Sequence, residues 1–389
     1  MPQPREEPVV VRIDEFWGMS EGERKSVDAV TCATVGLMSG VYAVISARVT
    51  EPGEVRRFDH VILGKTRLPV GPCPNERLGM VEFLLPATVP SDPPAPEILR
   101  RLASGREVDL VVVDDEGREH EATIGPEDVD RAMLRSTRTC IRNYHAFVNT
   151  GDEPVNTIFS PKPLGPGEAT FSGCGGYNPL EHDPNLELHR PGRRVLFCGA
   201  PAVITGEGTR SSHEKPNLAL SADLMECDPR FMGAFRTSAG YENIAGVASA
   251  IALTPETEPL LDVKHEDCTL PVVRIEDRSP LTETDYGAVW KDEEVRWDPG
   301  ACEGCDRCAL EEVCPYPYGT IKDGECFHCG LCVSVCPAVS ADLGEVPTGD
   351  GTAKVIARES SAFKAKKLME KAVEAVEEGL LEPLKPSQR

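Results

Sequence analysis

Residues 302–337 read CEGCDRCALEEVCPYPYGTIKDGECFHCGLCVSVCP, and eight of the chain's fifteen cysteines fall within them. The spacing is C-x2-C-x2-C-x5-C-P, then C-x2-C-x2-C-x3-C-P. A cubane of iron and sulfide needs four thiolates; one C-x2-C-x2-C loop supplies three, and the fourth crosses over from the other run. Cys302, Cys305, Cys308 and Cys336 are therefore expected to hold one [4Fe–4S] cluster, and Cys326, Cys329, Cys332 and Cys314 a second. Pro315 and Pro337 turn the chain after each crossing ligand. The first run has five residues, Ala309 to Val313, where three are usual, which predicts a longer loop around an intact ligand set. The reading is a small bacterial-type ferredoxin domain that moves single electrons.

Two blander readings compete. Structural zinc also takes four thiolates in C-x2-C pairs, but it needs neither a third cysteine in each loop nor the prolines. A disulfide framework needs export, and Met1 to Asp14 carries Glu6 and Glu7 where a secretory leader would be basic and then apolar. A reducing, cytoplasmic compartment is expected.

A chain of 389 residues has room for a large domain beside the cysteine runs. We expect an α/β (mixed α+β possible) domain over residues 1–290, the ferredoxin domain over 296–345, and a linker with a C-terminal helix over 346–389. The longest apolar run, Ile244 to Leu253, is far short of the ~20 residues that span a bilayer, so no membrane partner is expected. A net charge of −23 repels phosphate backbones and argues against nucleic acid.

Patterning predicts a strand at Val9 to Ile13, a helix at Glu21 to Val30 and a buried strand-turn element from Ala29 to Val49. The five prolines between Pro86 and Pro96 predict a surface loop. A helix at Glu97 to Ser104, paired strands at Val108 to Val113 and Glu119 to Ile124, and a helix from Gly125 into Arg135 should follow. Val195 to Cys198 reads as a strand, Pro271 to Trp297 as a linker, and Ser361 to Leu380 as a packing helix, with Phe363, Leu368, Val373 and Val376 at helical spacing.

Seven cysteines remain: Cys32, Cys73, Cys140, Cys174, Cys198, Cys227 and Cys268. A free cysteine is usually a small buried hydrophobe. Cys140 departs from that default, because Arg135, Arg138 and Arg142 surround it in sequence and cations favour a reactive thiolate. Arg138 and Arg142 are candidates to hold a substrate carboxylate. Cys174, flanked by glycines, is a second candidate thiol. Gly206, Glu207, Gly208, Thr209 and Arg210 form a glycine-bearing loop whose backbone could approach a ligand closely, or could simply turn.

Four segments together, RTCIRNYHAFVN (138–149), FSGCGGYNPLEHDPN (171–185), ITGEGTR (204–210) and LSADLMECDP (220–229), resemble the archaeal homocysteine-biosynthesis, sulfur-incorporating family. With the C-terminal cysteine runs, the architecture resembles its methanogenesis marker 16 branch. The resemblance implies conversion of aspartate semialdehyde to homocysteine, with sulfur inserted at the expense of a reduced iron–sulfur protein. It makes Cys140 the sulfur-handling nucleophile, and it implies an aldehyde substrate, a sulfur donor and an external electron donor or redox partner protein. There is a departure: related sulfurtransferases carry another cysteine near Gly36 to Gly40, where this chain has Ser39, which leaves Cys32 as a candidate substitute. A rival reading of another class is a methanogen electron-transfer or sulfur-carrier protein that acts on a partner enzyme.

Overall fold

The computed structural model describes residues 8–71, 73–142 and 144–386. Glu6 and Glu7 of the N-terminal reading, and Asn143 of the cationic segment, lie outside the described residues.

The small and β-branched run Ala29–Leu37 is a strand buried on both faces, as a continuous apolar pattern requires. It pairs antiparallel with Gly240–Ala252 over its whole length, from Leu37 opposite Ile244 to Ala29 opposite Ala252. Around this pair a ten-stranded sheet runs in the order Val10–Arg12, Ala29–Leu37, Gly240–Ala252, Arg194–Phe197, Ala200–Glu207, Leu218–Asp223, Val129–Thr139, Val41–Arg48, Met80–Pro86, with Gly233–Thr237 also on Gly240–Ala252. A six-stranded sheet runs Pro280–Asp285, Thr269–Arg274, Ala146–Val148, Glu168–Phe171, Thr352–Arg358, Glu345–Pro347. A four-stranded sheet carries the expected pair Val108–Asp114 and Glu119–Ile124. The architecture is sheet-rich and mixed, with few helices.

The helix Ala362–Glu377 covers the large sheet where Ala29–Leu37 meets Gly240–Ala252. Its buried stripe is Ala362, Ala365, Leu368, Met369, Ala372, Ala375 and Val376, so alanines rather than Phe363 and Val373 form the contact. Close approach explains that choice: a side chain at Gly246 would meet Leu368 at 2.7 Å.

Several expectations are corrected. The helix expected from Gly125 to Arg135 is instead the strand Val129–Thr139, because pairing with Val41–Arg48 and Leu218–Asp223 overrides local propensity. The helix at Glu21 stops at Arg24, and the chain then enters the sheet at Ala29. Pro271 to Trp297 is not a linker: Thr269–Arg274 and Pro280–Asp285 pair antiparallel, and the short helix Tyr286–Val289 follows. The polar stretch after Ala341 holds the strands Glu345–Pro347 and Thr352–Arg358, and the latter runs parallel to Glu168–Phe171.

Candidate functional site: a cationic cleft and two groups of thiols

The large and six-stranded sheets meet where Gly36 bridges to Ser360, an approach only glycine permits, since a side chain there would meet Ser360 Oγ at 2.5 Å. Three hydrogen bonds weld the junction. Leu37 N–H donates to Glu359 O at 3.0 Å, Ser361 N–H to Val35 O at 2.9 Å, and Gly173 N–H to Ser360 Oγ at 2.7 Å. Beside it opens a cleft of about 890 Å³. Ser39, Arg138, Tyr144, Ser172, Gly173 and Arg210 line it, so three of the four segments singled out in the sequence converge there.

The cleft is rich in cations. Arg138, Arg210 and Arg278 all line it, and none of them forms an ion pair among the described residues. Arg138 Nε is buried without a partner. Nearby, burial and then the charges of Arg138 and Arg278 push the Lys215 ammonium down to about 8. Unpaired guanidinium groups around a concave surface suit a planar anion such as a carboxylate.

Two carboxyl groups share the cleft. Glu242 is 8% exposed and burial pushes it up to about 7; Glu359 is 1% exposed and burial raises it well above its ordinary range, helped by the charge of Glu242 and opposed by its hydrogen-bond contact with Thr170. Sequence reading missed both, together with Arg278 and Tyr144. The only signal for Glu242 was a carboxylate two residues before the apolar run that begins at Ile244.

Cys140 lies in sequence between Arg138 and Ile141, which line the cleft, and is not itself a lining residue. It is fully buried and has a positive φ of 55°, a strained conformation for a side chain with Cβ. Its Sγ donates to Asn178 Oδ1 at 3.2 Å. The expected cationic setting is not there. Arg142 is committed to the buried Glu181 at 2.8 Å, and burial pushes the Cys140 thiol up rather than down. Cys174 and Cys32 are its electrostatic neighbours; both are fully buried, and burial pushes Cys174 up to about 11. The three interior thiols, distant in sequence, are thus near enough for Cys140 to influence Cys32 and Cys174 to influence Cys140 electrostatically, although Cys140 packs in one apolar cluster and Cys32 and Cys174 in another. Of the expected loop, only Arg210 reaches the cleft. Gly206 and Glu207 end the strand Ala200–Glu207, Gly208 packs against Asn217, and Thr209 N–H donates to Thr137 O at 2.6 Å.

In the C-terminal runs, Cys314, Cys326, Cys329 and Cys332 line one cavity with Leu310, Tyr316, Ile321 and Phe327. Burial raises Cys326 to about 11 and Cys332 to about 12, with the neighbouring thiols adding to the effect. Cys302 and Cys305 are exposed, and Lys322 Nζ sits 3.0 Å from Cys308 Sγ. Cys308 and Cys336 pack on the same small apolar cluster of Val295, Leu310 and Val339. No group of three or more His, Cys, Asp or Glu side chains among the described residues stands at the spacing of a bound metal ion. The cavity of four cysteines and the cleft are joined by two successive residues: Arg358 N–H donates to Cys329 O at 2.8 Å, and Glu359 lines the cleft.

Residues 9–382 match the family described as homocysteine biosynthesis enzyme, sulfur-incorporation. The chain belongs to that family. It is 41% identical over 369 residues to an uncharacterized protein of Methanothermobacter thermautotrophicus, a match covering 91% of this chain and 85% of the relative. It is 25% identical over 312 residues to the L-aspartate semialdehyde sulfurtransferase of Methanocaldococcus jannaschii, covering 72% of this chain and 59% of that protein. The protein of the same name from Methanosarcina acetivorans is 31% identical over 117 residues, 30% of this chain and 23% of its own length. No solved structure matches. No helix among the described residues is long and apolar enough to cross a membrane. The family match runs through the cysteine-rich stretch and the C-terminal helix, and the cleft is built by residues from Thr34 to Ser360.

Proposed function

We propose that this chain inserts sulfur into a small aldehyde that carries a carboxylate, of which aspartate semialdehyde is the first candidate, and releases the corresponding thiol. The single observation that carries the reading is the cleft, which unpaired Arg138, Arg210 and Arg278 line together with Ile141, the residue after Cys140, in a chain of this family. The arginines hold the carboxylate, and Cys140, a neutral buried thiol at rest, adds to the aldehyde carbon as a hemithioacetal from which sulfide then displaces it, returning the thiol. Ser39 lines the cleft at the place where a second cysteine was expected, so Cys174 or Cys32 is left to assist.

Aldehyde plus hydrogen sulfide gives thiol plus water only with two electrons and two protons added. Cys302, Cys305, Cys308 and Cys336 would hold one [4Fe–4S] cluster, and Cys314, Cys326, Cys329 and Cys332 the other, each supplying one electron at a time. The donor set supports this, since four soft sulfur ligands in an apolar shell suit iron and sulfide. The architecture fits the methanogenesis marker 16 branch of the family, and a reducing cytoplasm would keep such thiols available. The test is anaerobic: reconstituted protein, L-aspartate semialdehyde, sulfide and a low-potential reductant should give homocysteine, and Cys140→Ser protein with unchanged iron should not.

A second reading is favoured by the exposure of Cys302 and Cys305, which would leave one cluster open to a partner. On that reading the chain passes electrons or sulfur to another enzyme, and thiol appears only when the partner protein is added.

A further inference from the structure

When sulfur adds to an aldehyde, the oxygen gains charge and needs a proton, and the arginines are too basic to give one. Two carboxyl groups in the cleft have no other duty. Glu242, on the strand Gly240–Ala252, forms no ion pair among the described residues. Glu359 follows the strand Thr352–Arg358 and reaches the same cleft.

Geometry argues that Glu359 carries a proton at rest. Thr170 Oγ1 lies 2.7 Å from the Phe159 carbonyl oxygen and 2.9 Å from Glu359 Oε1. The hydroxyl has one hydrogen and the carbonyl can only accept. With that hydrogen on Phe159 O, the second contact is closed by a proton of the carboxyl itself. Glu359 Oε2 is buried with no partner, which an ionised carboxylate would not tolerate and an un-ionised one can. The groups facing the pair are Tyr144, Arg138, Arg210 and Arg278, and burial outweighs them.

We propose that Glu242 and Glu359 act as a carboxyl dyad that supplies the proton to the aldehyde oxygen as sulfur adds, Glu242 as the donor and the un-ionised Glu359 as the positioning residue that keeps it poised. The inference rests on the aldehyde reading above. In the step, the C–S bond forms, the carbonyl π bond breaks, and its electron pair takes the proton of Glu242. The carboxylate left behind is reloaded from water, and nothing is oxidised or reduced. Two carboxyls whose surroundings separate their titrations are the usual arrangement for such work.

Infrared difference spectroscopy on the full chain reads the dyad without turnover. The expected result is an un-ionised carboxyl band at neutral pH that is lost in Glu359→Gln, and a second band that titrates near neutrality and is lost in Glu242→Gln. Adding L-aspartate semialdehyde should shift the second band, and Glu242→Gln should lower the rate of thiol formation by about 10²-fold with KM little changed. Glu242→Asp should recover part of that rate with a displaced pH profile. An ionised Glu359 at neutral pH, no shift of the Glu242 band on adding the aldehyde, or a fully active Glu242→Gln overturns the proposal. If the parent makes no thiol from any aldehyde, the aldehyde reading fails, and the band shift alone then decides whether the dyad meets a carbonyl ligand.

Discussion

The molecule holds two groups of cysteines that differ in how they are assembled. Cys314, Cys326, Cys329 and Cys332 lie within nineteen residues and surround one cavity, so local spacing gathers them. Cys32, Cys140 and Cys174 come from distant segments and come within electrostatic reach, Cys140 of each of the others, only because the strand Ala29–Leu37, the end of Val129–Thr139 and the loop after Glu168–Phe171 converge. The first group follows a motif read without a structure. The second follows from topology, and the same topology buries it, so its thiols are held neutral rather than activated. Proximity of cations in sequence said the reverse about Cys140, because Arg142 turns to Glu181 and Arg138 turns into the cleft.

The sharpest way to break this comparison is to remove one thiol from each group. Cys329→Ser should cost one cluster, about four of about eight irons per chain after anaerobic reconstitution, and abolish electron-dependent turnover. Iron analysis and EPR check it. Cys140→Ser should leave iron unchanged and lower thiol formation on the order of 10³-fold or more, as loss of a nucleophilic thiol does. If both variants lose iron, the two groups are not separate.

Arg138 and Arg142, two turns of one sequence signal, should part company. Arg138→Ala should raise KM for a carboxylate-bearing aldehyde by roughly 10–100-fold, the worth of a hydrogen bond to a charged group, with melting unchanged. Arg142→Ala removes the guanidinium paired with the buried Glu181 and should instead cost roughly 1–3 kcal/mol of stability, read by denaturant unfolding.

The carboxyls of the cleft give the interior group a pH signature. Glu242 titrates at about 7 against an ordinary value of 4.5, so between those pH values the folded chain binds more protons than the unfolded one. The contribution of Glu242 to stability should therefore fall as pH rises from about 4.5 to about 7, by up to about 3 kcal/mol, and level off above. Unfolding curves for the parent and Glu242→Gln check it, the variant showing the shallower decline. The smallest effect belongs to Thr209→Ala: its backbone is tied to Thr137 and its side chain does not line the cleft, so KM and rate should change less than about twofold.

The comparison also shows how much was legible in advance. The paired strands from Val108 to Ile124, the buried Ala29 strand and the C-terminal helix follow from short-range periodicity, and the structure has them. The helix expected before Arg135 and the linker expected after Pro271 are strands, because both segments pair with partners far away in sequence, and no local pattern reports a distant partner. Of the expected site, Arg138 and Arg210 reach the cleft, while Gly206 to Thr209 and Arg142 do not.

By itself, the sequence determined the spacing of the two cysteine runs, the net negative charge and the resemblance to a sulfur-incorporating family, since each depends on spacing, composition or a contiguous segment. Only the tertiary structure decided that Glu242 and Glu359 face the same cleft, that Cys140 is buried as a thiol, and that Arg358 and Glu359 bridge the two centres. The physical reason is that burial sets the protonation of a carboxyl or a thiol, and burial is a property of what packs around a residue rather than of what adjoins it in the chain.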